Sequence, residues 1–290
     1  MAKLLIINAD DFGLEEEVNR GIIEAHRRGV VTSASLIPTG SAFGHAIELA
    51  RDNPRLDVGA HLTLTRGPSL VGMPVLPPTQ VPSLVKGDGL LPQNPVSLAG
   101  RIVLGLVSLT QIRLELTAQL EKIHSTGIRI THIDSHQHIH LVPAVFRLVT
   151  GLAQQFGVTW LRLPLKCQFS RGRPTAAGIM QRLKVASLRG TAAIDSPRLT
   201  EAGLRCADYY VGVEFSGRLS DVEMENLVTN VPDGITELSC HPGVDDVRLS
   251  QNHPWGYRWE RELAALCSAG MVATINRSGV QLVRYSEISV

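Results

Sequence analysis

The sequence predicts an α/β protein whose parallel strands curl into a closed or nearly closed (β/α) barrel of seven or eight strands. Short β-rich runs alternate with helical patterns along the chain, and repeated strand–helix units imply a parallel sheet with right-handed crossovers. The length of 290 residues suits one barrel with insertions. No linker divides residues 1–290, so we expect a single domain. A flat, doubly wound sheet is the alternative.

The expected strands and helices follow one another in order. Residues 3–8 form a nearly continuous apolar run, as in a buried parallel strand. In the next helix Val18 and Ile22 share a face; Ser41 is suited to cap the second helix, and Pro143 to begin a later one. Strands are expected at residues 3–8, 30–38, 56–64, 130–135, 159–163, 209–213, 235–240 and 280–285. Helices are expected at residues 15–28, 41–52, 112–125, 143–156 and 260–269.

The composition excludes several classes of protein. With 44% hydrophobic and 19% charged residues, the chain is not disordered, collagen-like or a coiled coil. A net charge of +1 does not suit a nucleic-acid-binding protein, and the longest apolar run, residues 102–109, is too short to cross a bilayer. The four cysteines form no CxxC pair and no signal peptide is recognisable, so we expect a cytoplasmic protein.

Two stretches interrupt the alternation, and we expect insertions near residues 65–108 and 164–205. The first contains seven of the 16 prolines within residues 65–95, and the second includes a basic, irregular stretch at residues 166–196. Both follow strands, and the loops after barrel strands surround the active sites of such proteins. Each insertion is therefore either a lid or binding loop or a tolerated surface insertion.

Two adjacent carboxylates, Asp10 and Asp11, follow the first strand. Neighbouring residues of a regular strand point to opposite faces, so the strand must end here if both carboxylates face one site, and Gly13 permits such a bend. Buried carboxylates need a paired charge or a metal ion. The alternative is that one of them caps the helix that begins near Glu15.

Histidines lie at the ends of three further strands. His61 ends the third strand, and His241 begins a His-Pro-Gly turn after the seventh, although either could be an ordinary core or turn histidine. Four of the ten histidines lie within nine residues around the end of the fourth strand. There, His136, His138 and His140 share a face if the segment is extended. Imidazoles clustered beside carboxylates suit a divalent transition metal, whereas a solvated histidine-rich loop is the alternative.

Together these residues predict one catalytic metal site. In a barrel the strand ends meet at one rim, which brings together Asp10, Asp11, His61, His136 and His241. That rim would offer one aspartate and two histidines as metal ligands, with one aspartate and one histidine left for proton transfer. Three protein ligands leave a coordination position open, as in catalytic sites. The nearby carboxylate of Asp134 is suited to orient a histidine ligand.

Five motifs resemble the YdjC-like carbohydrate deacetylase family, which includes chitooligosaccharide deacetylases and deacetylase-like proteins associated with hopanoid biosynthesis. The motifs are NADDFGL at 8–14, GVVTSAS at 29–35, GAHLTLT at 59–65, THIDSHQHIH at 131–140 and CHPG at 240–243, in the family order. The resemblance implies an irregular, TIM-barrel-like (β/α) barrel. It implies that Asp11, His61 and His136 bind a metal ion, that Asp10 is the general base and that His241 is the general acid.

The resemblance also implies the reaction, which is hydrolysis of the acetyl group of an N-acetylated sugar, either an oligosaccharide or a glycolipid. The ligand types favour zinc and the family implies magnesium, so we expect one divalent ion of either kind. Asp134, His138 and His140 are expected to surround the ligands without binding the ion. The alternatives are a metal-dependent phosphoesterase or amidohydrolase of the barrel type, which often uses two metals, and a non-enzymatic sugar- or lipid-binding protein.

The near-zero net charge hides two opposed segments. Residues 135–194 contain eight lysines and arginines and no acid, whereas residues 195–246 contain eleven acids and three arginines. The two segments could neutralise each other across the fold. Otherwise Arg162, Arg171 and Arg173 would lie near the site and bind an anionic part of the substrate or an anionic membrane surface. A peripheral membrane contact and a homodimer are therefore left open beside the sugar substrate, and no nucleic acid is expected.

Overall fold

The structure, a computed structural model, describes residues 2–66, 72–166 and 176–288, with side chains from residue 186 onward in the last range. Within these ranges, strands that all pair in parallel form one sheet. The strands are β1 (Lys3–Phe12), β2 (Ser33–Leu36), β3 (Asp57–Leu62), β4 (Ile130–Ser135), β5 (Trp160–Leu161), β6 (Tyr209–Val211), β7 (Gly234–Cys240) and β8 (Val280–Leu282).

The sheet curls into an irregular barrel. Its strand order is β5–β4–β3–β2–β1–β7–β6, and β8 pairs with the first residues of β1. The two edges meet at Arg205, just before β6, since Leu161 N donates to Arg205 O and Arg205 N donates to Thr159 O, both at 2.8 Å. The barrel of seven or eight parallel strands is therefore confirmed, and the flat sheet is not what forms.

Helices cover the outside of the sheet. They are α1 (Glu16–Arg27), α2 (Phe43–Arg51), α3 (Pro95–Val103), α4 (Leu109–His124), α5 (Pro143–Gln155), α6 (Ala176–Glu201), α7 (Asp221–Thr229), α8 (Asp246–Asn252), α9 (Trp259–Leu266) and α10 (Ala269–Arg277). Short 3-10 turns lie at Pro78–Gln80, His136–Leu141, Val213–Phe215 and Tyr285–Glu287. In the part of the chain that is described, no helix has both the length and the apolarity needed to cross a membrane.

Two local expectations were wrong. The second helix begins at Phe43 with Ala42 at its N-cap, and the Ser41 hydroxyl instead donates to the carbonyl oxygen of Leu14 at 2.8 Å. The stretch expected to be irregular before residue 196 largely belongs to α6. The extent of the single domain and the two insertions remain predictions.

Alternate side chains of strand β1 pack on the two faces of the sheet, one outside the barrel and one inside it. Its outward side chains, including Leu5 and Ile7, pack in the main hydrophobic core, whereas Ile6 belongs to a separate apolar cluster. The alternation of a strand puts Asn8 and Asp10 on the same face as Ile6. Both are buried. The barrel interior is therefore apolar at one end and polar at the carboxyl ends of the strands, where buried polar groups require partners.

Helix α1 packs against the turn that carries His241. A Cβ atom added to Gly21 would lie 2.3 Å from Cα of Gly243 in the His-Pro-Gly turn. On the same side, Val244 N donates to Glu17 O at 3.1 Å. Because the two backbones touch here, the position of the turn depends on the absence of a side chain at Gly21.

We predict that Gly21→Ala lowers the free energy of unfolding by about 1–3 kcal/mol, because the added methyl group overpacks this contact. The matched control is Gly151→Ala in α5, where an added Cβ would have no neighbour within 4 Å. That control should be stabilised by about 0.5–1 kcal/mol, since alanine favours a helix over glycine. Chemical denaturation measures both, and a stabilised Gly21→Ala variant would contradict the contact.

Candidate active site

A bulge near the end of β1 changes the direction of Asp11 relative to Asp10. Ala9 pairs with Ala34 and Phe12 with Leu36, so β1 contains one residue more than β2 over this interval. Asp11 has a φ of 69°, which few residues other than glycine adopt. The strand does not end at the aspartates, contrary to our expectation. Instead the bulge turns Asp11, and a backbone held in this sparsely populated region is typical of functional sites.

The helix-capping alternative for the aspartates is not what the structure contains. Helix α1 begins at Glu16 with Glu15 at its N-cap, and no side chain makes a capping hydrogen bond there. Asp10 and Asp11 both line the cavity at the barrel mouth. Their side chains are therefore available for chemistry at that mouth.

Asp11, His61 and His136 form a group that could hold a metal ion. One ligand atom from each lies within 4.8 Å of the others. Asp11 Oδ1 is 3.2 Å from His136 Nδ1 and 3.5 Å from His61 Nε2. Burial raises the pKa of Asp11, but the hydrogen bond and charge of His136 and the charge of His61 outweigh burial and bring the pKa below its usual value. One carboxylate and two imidazoles fit a divalent cation.

Asp134 orients His61. Its Oδ1 accepts a hydrogen bond from His61 Nδ1 at 2.8 Å, which leaves His61 Nε2 directed toward Asp11. Burial lowers the pKa of His61, but the charge and hydrogen bond of Asp134 raise it to about 9. A carboxylate behind a ligating histidine is the usual arrangement in metal sites.

Arg162 lies beneath the mouth in contact with three carboxylates. Nη1 and Nη2 donate to the two oxygens of Asp10, each at 2.8 Å, while Nη1 also lies 2.7 Å from Asp134 Oδ2 and Nε donates to Glu237 Oε1 at 2.6 Å. Only 2% of Arg162 is exposed. The expectation that Arg162 binds substrate is therefore wrong, because its donors are directed to buried carboxylates. Arg171 and Arg173 lie outside the described residues.

The cluster around Arg162 shifts the ionisation of its members. Burial raises the pKa of Asp134, but the charges of Arg162 and His61 bring it well below its usual value. Burial lowers the pKa of Arg162, yet the surrounding carboxylates raise it above the usual value. For Glu237 burial outweighs the charge of Arg162, so its pKa is raised. Arg162 and Asp134 are therefore held as ions away from solvent.

His241 also lies near Asp10. Its Nε2 is 4.0 Å from Asp10 Oδ2, and its Nδ1 is 4.0 Å from Glu262 Oε2. Glu262 is fully buried and accepts hydrogen bonds from the backbone N–H groups of His241 at 2.6 Å and Leu219 at 2.9 Å. Burial raises the pKa of Glu262 to about 8. The sequence did not single out Glu262, which positions the turn that carries His241.

The histidine-rich segment is a turn and not an extended strand. Gln137 and His138 both have a φ of 56°, so His136, His138 and His140 do not share a face. His138 lines the mouth beside His136. His140 is buried, its Nε2 donates to the carbonyl oxygen of Arg162 at 2.9 Å, and burial lowers its pKa to about 4. Asp11, His61 and His136 are called the metal-type group below. The turn leaves His136 in this group and gives His138 and His140 other contacts.

The mouth encloses a cavity of about 280 Å³. Aspartates and histidines line it together with residues that sequence reasoning missed: Ser135, Gln137, Tyr210, Ser216, Pro254, Trp255 and Tyr257. One signal was available, since residues 253–259 contain two of the three tryptophans and one tyrosine. Aromatic density in a connecting segment can indicate a binding surface.

We predict that Arg162→Met destabilises the protein by about 3–5 kcal/mol, because it leaves buried carboxylates without their counter-charge. Without Arg162 the pKa values of Asp134 and Glu237 rise in the folded state, so the variant gains relative stability when these groups are protonated. Its deficit against the wild type should therefore shrink as the pH falls from neutral into the acid range. Arg113→Met, at an exposed position of α4, is the control and should change stability by less than about 0.5 kcal/mol. Thermal unfolding across pH measures both, and a deficit that grows in acid would contradict this reading.

Comparisons with known proteins agree with the motifs. The YdjC-like protein family model matches residues 4–277. A carbohydrate deacetylase of Geobacillus stearothermophilus is 36% identical over 288 residues, which is 99% of this chain and 98% of that protein. A carbohydrate deacetylase of Brevibacillus brevis is 32% identical over 288 residues, covering 98% and 99% of the two chains.

A solved structure also matches along the full length. The crystal structure of an Enterococcus faecalis V583 protein, provisionally assigned to cellobiose-phosphate cleavage, aligns with a TM-score of 0.78 and 30% identity over 100% of both chains. The family match and the two deacetylases confirm the resemblance that the five motifs carry. The chain belongs to the YdjC-like protein family.

Proposed function

We propose that the protein is a metal-dependent hydrolase that removes the acetyl group from an N-acetylated sugar. The observation that carries this proposal is that the two adjacent aspartates have different partners. Asp11 faces two histidines, whereas Asp10 is held by Arg162. That arrangement supplies a metal-type group and a separate carboxylate at one cavity. The full-length similarity to carbohydrate deacetylases supports the choice of an acetamido sugar as the substrate.

Asp11, His61 and His136 are proposed to hold one divalent ion. Such an ion polarises an acyl oxygen and increases the acidity of water. The hydrogen bond that His61 Nδ1 donates to Asp134 leaves Nε2 of that ring for the ion. Two imidazoles favour zinc over magnesium, and the carboxylate accommodates both, so the proposal extends to either metal.

Asp10 is proposed to take a proton from the attacking water. The paired hydrogen bonds from Arg162 fix the plane of its carboxylate. Arg162 also contacts Asp134 and Glu237, so its charge is shared.

His241 is proposed to donate a proton to the departing amine, since an amide nitrogen leaves poorly unless it is protonated. Its Nε2 lies on the cavity side, 4.0 Å from Asp10 Oδ2. Catalytic hydrogen bonds are often long before substrate binds. The products are acetate and the free amine of the sugar, and one water molecule is consumed.

The alternative of a two-metal phosphoesterase receives less support. A second group of suitable ligands among the described residues, Asp10, His61 and Asp134, shares His61 with the first. Arg162 lies 2.7–2.8 Å from the oxygens of Asp10 and Asp134. A guanidinium that neutralises these carboxylates disfavours a second cation there. One metal ion suits amide hydrolysis.

The proposed activity is tested by measuring acetate released from N-acetylglucosamine and its oligomers, from N-acetylated glycolipids, and from a neutral phosphoester control. Metal-loaded protein should release acetate from at least one acetamido sugar, and metal-free protein should not. Phosphate release in place of acetate, or equal activity with and without metal, would overturn the proposal.

The metal group is tested by metal content. We predict about one divalent ion per chain for the wild type and a sharp loss in His136→Ala, because that variant removes one of three ligands. His138→Ala is the matched control in the same turn and should retain the ion. If His138→Ala loses the metal and His136→Ala keeps it, the ligand assignment is wrong.

Asp10→Asn separates catalysis from metal binding. The amide keeps the shape of the carboxylate but cannot accept the proton, so turnover should fall by roughly 10²–10⁴ while metal content stays near the wild-type value. Steady-state kinetics and metal analysis on one preparation provide both numbers. Near-normal turnover would remove Asp10 from the mechanism.

A further inference from the structure

The segment after α8 crosses the mouth of the barrel. The ring of Trp255 lies 5.3 Å, between centroids, from the ring of His136 after β4. The ring of Tyr257 lies 5.0 Å from that of His241 after β7. In the sheet order, three strands separate β4 from β7. The two aromatic side chains therefore form a wall, here called the aromatic wall, that reaches from the metal-type group to the proposed acid.

The aromatic wall is held in place by the surrounding backbone. Gly217 has a φ of +71°, and a Cβ there would lie 2.1 Å from the Tyr257 ring, so this ring packs directly on the glycine backbone. Arg258 N donates to Gly217 O at 2.6 Å. At the other end of the segment, His253 Nε2 lies 3.2 Å from Glu15 Oε1. The wall is thus pre-organised, which lowers the entropy lost when a ligand binds.

Trp255 differs from the other two tryptophans in its exposure. Trp160 is 3% and Trp259 1% exposed, whereas Trp255 is half-buried and lines the cavity. The polar side chains of Gln137 and Ser216 also line the cavity. A pyranose ring has an apolar C–H face and hydroxyl groups at its rim, so it matches an aromatic surface combined with hydrogen-bonding groups.

We propose that Trp255, supported by Tyr257, is the platform on which the sugar ring that carries the acetamido group stacks. This inference rests on the proposed function and specifies its substrate class as a ring sugar bound at one subsite. The cavity of about 280 Å³ is at the lower end of ligand pockets and suits a single ring. Because the Trp255 ring lies 5.3 Å from that of His136, the acetamido group of a ring stacked on Trp255, whose carbonyl carbon is two bonds from the ring, is within reach of the metal-type group.

The test compares a ring substrate with a ringless one. Trp255→Ala should raise KM for N-acetylglucosamine about tenfold or more, because it removes the apolar surface on which the C–H face of the sugar packs, with a smaller change in kcat. Trp255→Phe keeps an aromatic ring, so its KM should lie between those of the wild type and Trp255→Ala. KM for N-acetylethanolamine, which has no ring to stack, should be unchanged. Metal content near the wild-type value in both variants excludes an indirect effect through His136.

A second readout needs no turnover. Because Trp255 is the half-buried tryptophan at the cavity, N-acetylglucosamine should change the intrinsic fluorescence of the wild type, with or without metal, and the change should vanish in Trp255→Phe. A response that persists in Trp255→Phe, no response in the wild type, or an equal KM increase for both substrates would overturn the platform. If the sugar binds and quenches but no acetate is released, the platform stands and the proposed reaction fails.

Discussion

The buried guanidinium of Arg162 is the interaction on which the rest of the site depends. It follows β5 and contacts carboxylates on β1, β4 and β7, so one cation ties together four strands of the barrel. Three carboxylates at the centre of a barrel would be unstable without it. The cluster also fixes the direction of Asp10, and the bulge in β1 then directs Asp11 elsewhere. Two adjacent residues of one type thereby acquire different environments.

Asp134 connects this cluster to the metal-type group. It contacts Arg162 through Oδ2 and His61 through Oδ1, and Ser35 Oγ donates to Oδ2 at 2.8 Å. Asn8 Nδ2 donates to both Ser35 and Asp10 at 2.8 Å. A continuous network of this kind holds each polar group in one orientation. The orientation of His61 is therefore set from below the site, and the cavity above stays open to a ligand.

Much of the barrel could be predicted because the alternation of strands and helices is a local pattern, and the strand ends that carry Asp10, His61 and His241 follow from it. The left-handed conformation of Asp11 and the turn at Gln137 could not be predicted, since no local sequence pattern distinguishes them from an extended chain. Arg162 was misread because its partner Asp10 lies 152 residues away. Helix α7 was missed although its capping box, Ser220 with Glu223, was readable.

The central claim is that the adjacent aspartates divide their roles, with Asp11 toward the metal and Asp10 held by Arg162. The most direct test is a crystal structure of the protein loaded with zinc, with the ion located by anomalous diffraction. The account predicts one ion about 2.0–2.2 Å from a ligand atom of each of Asp11, His61 and His136, with Asp10 still paired to Arg162. An ion bound by Asp10 or Asp134, with Arg162 displaced, would contradict it.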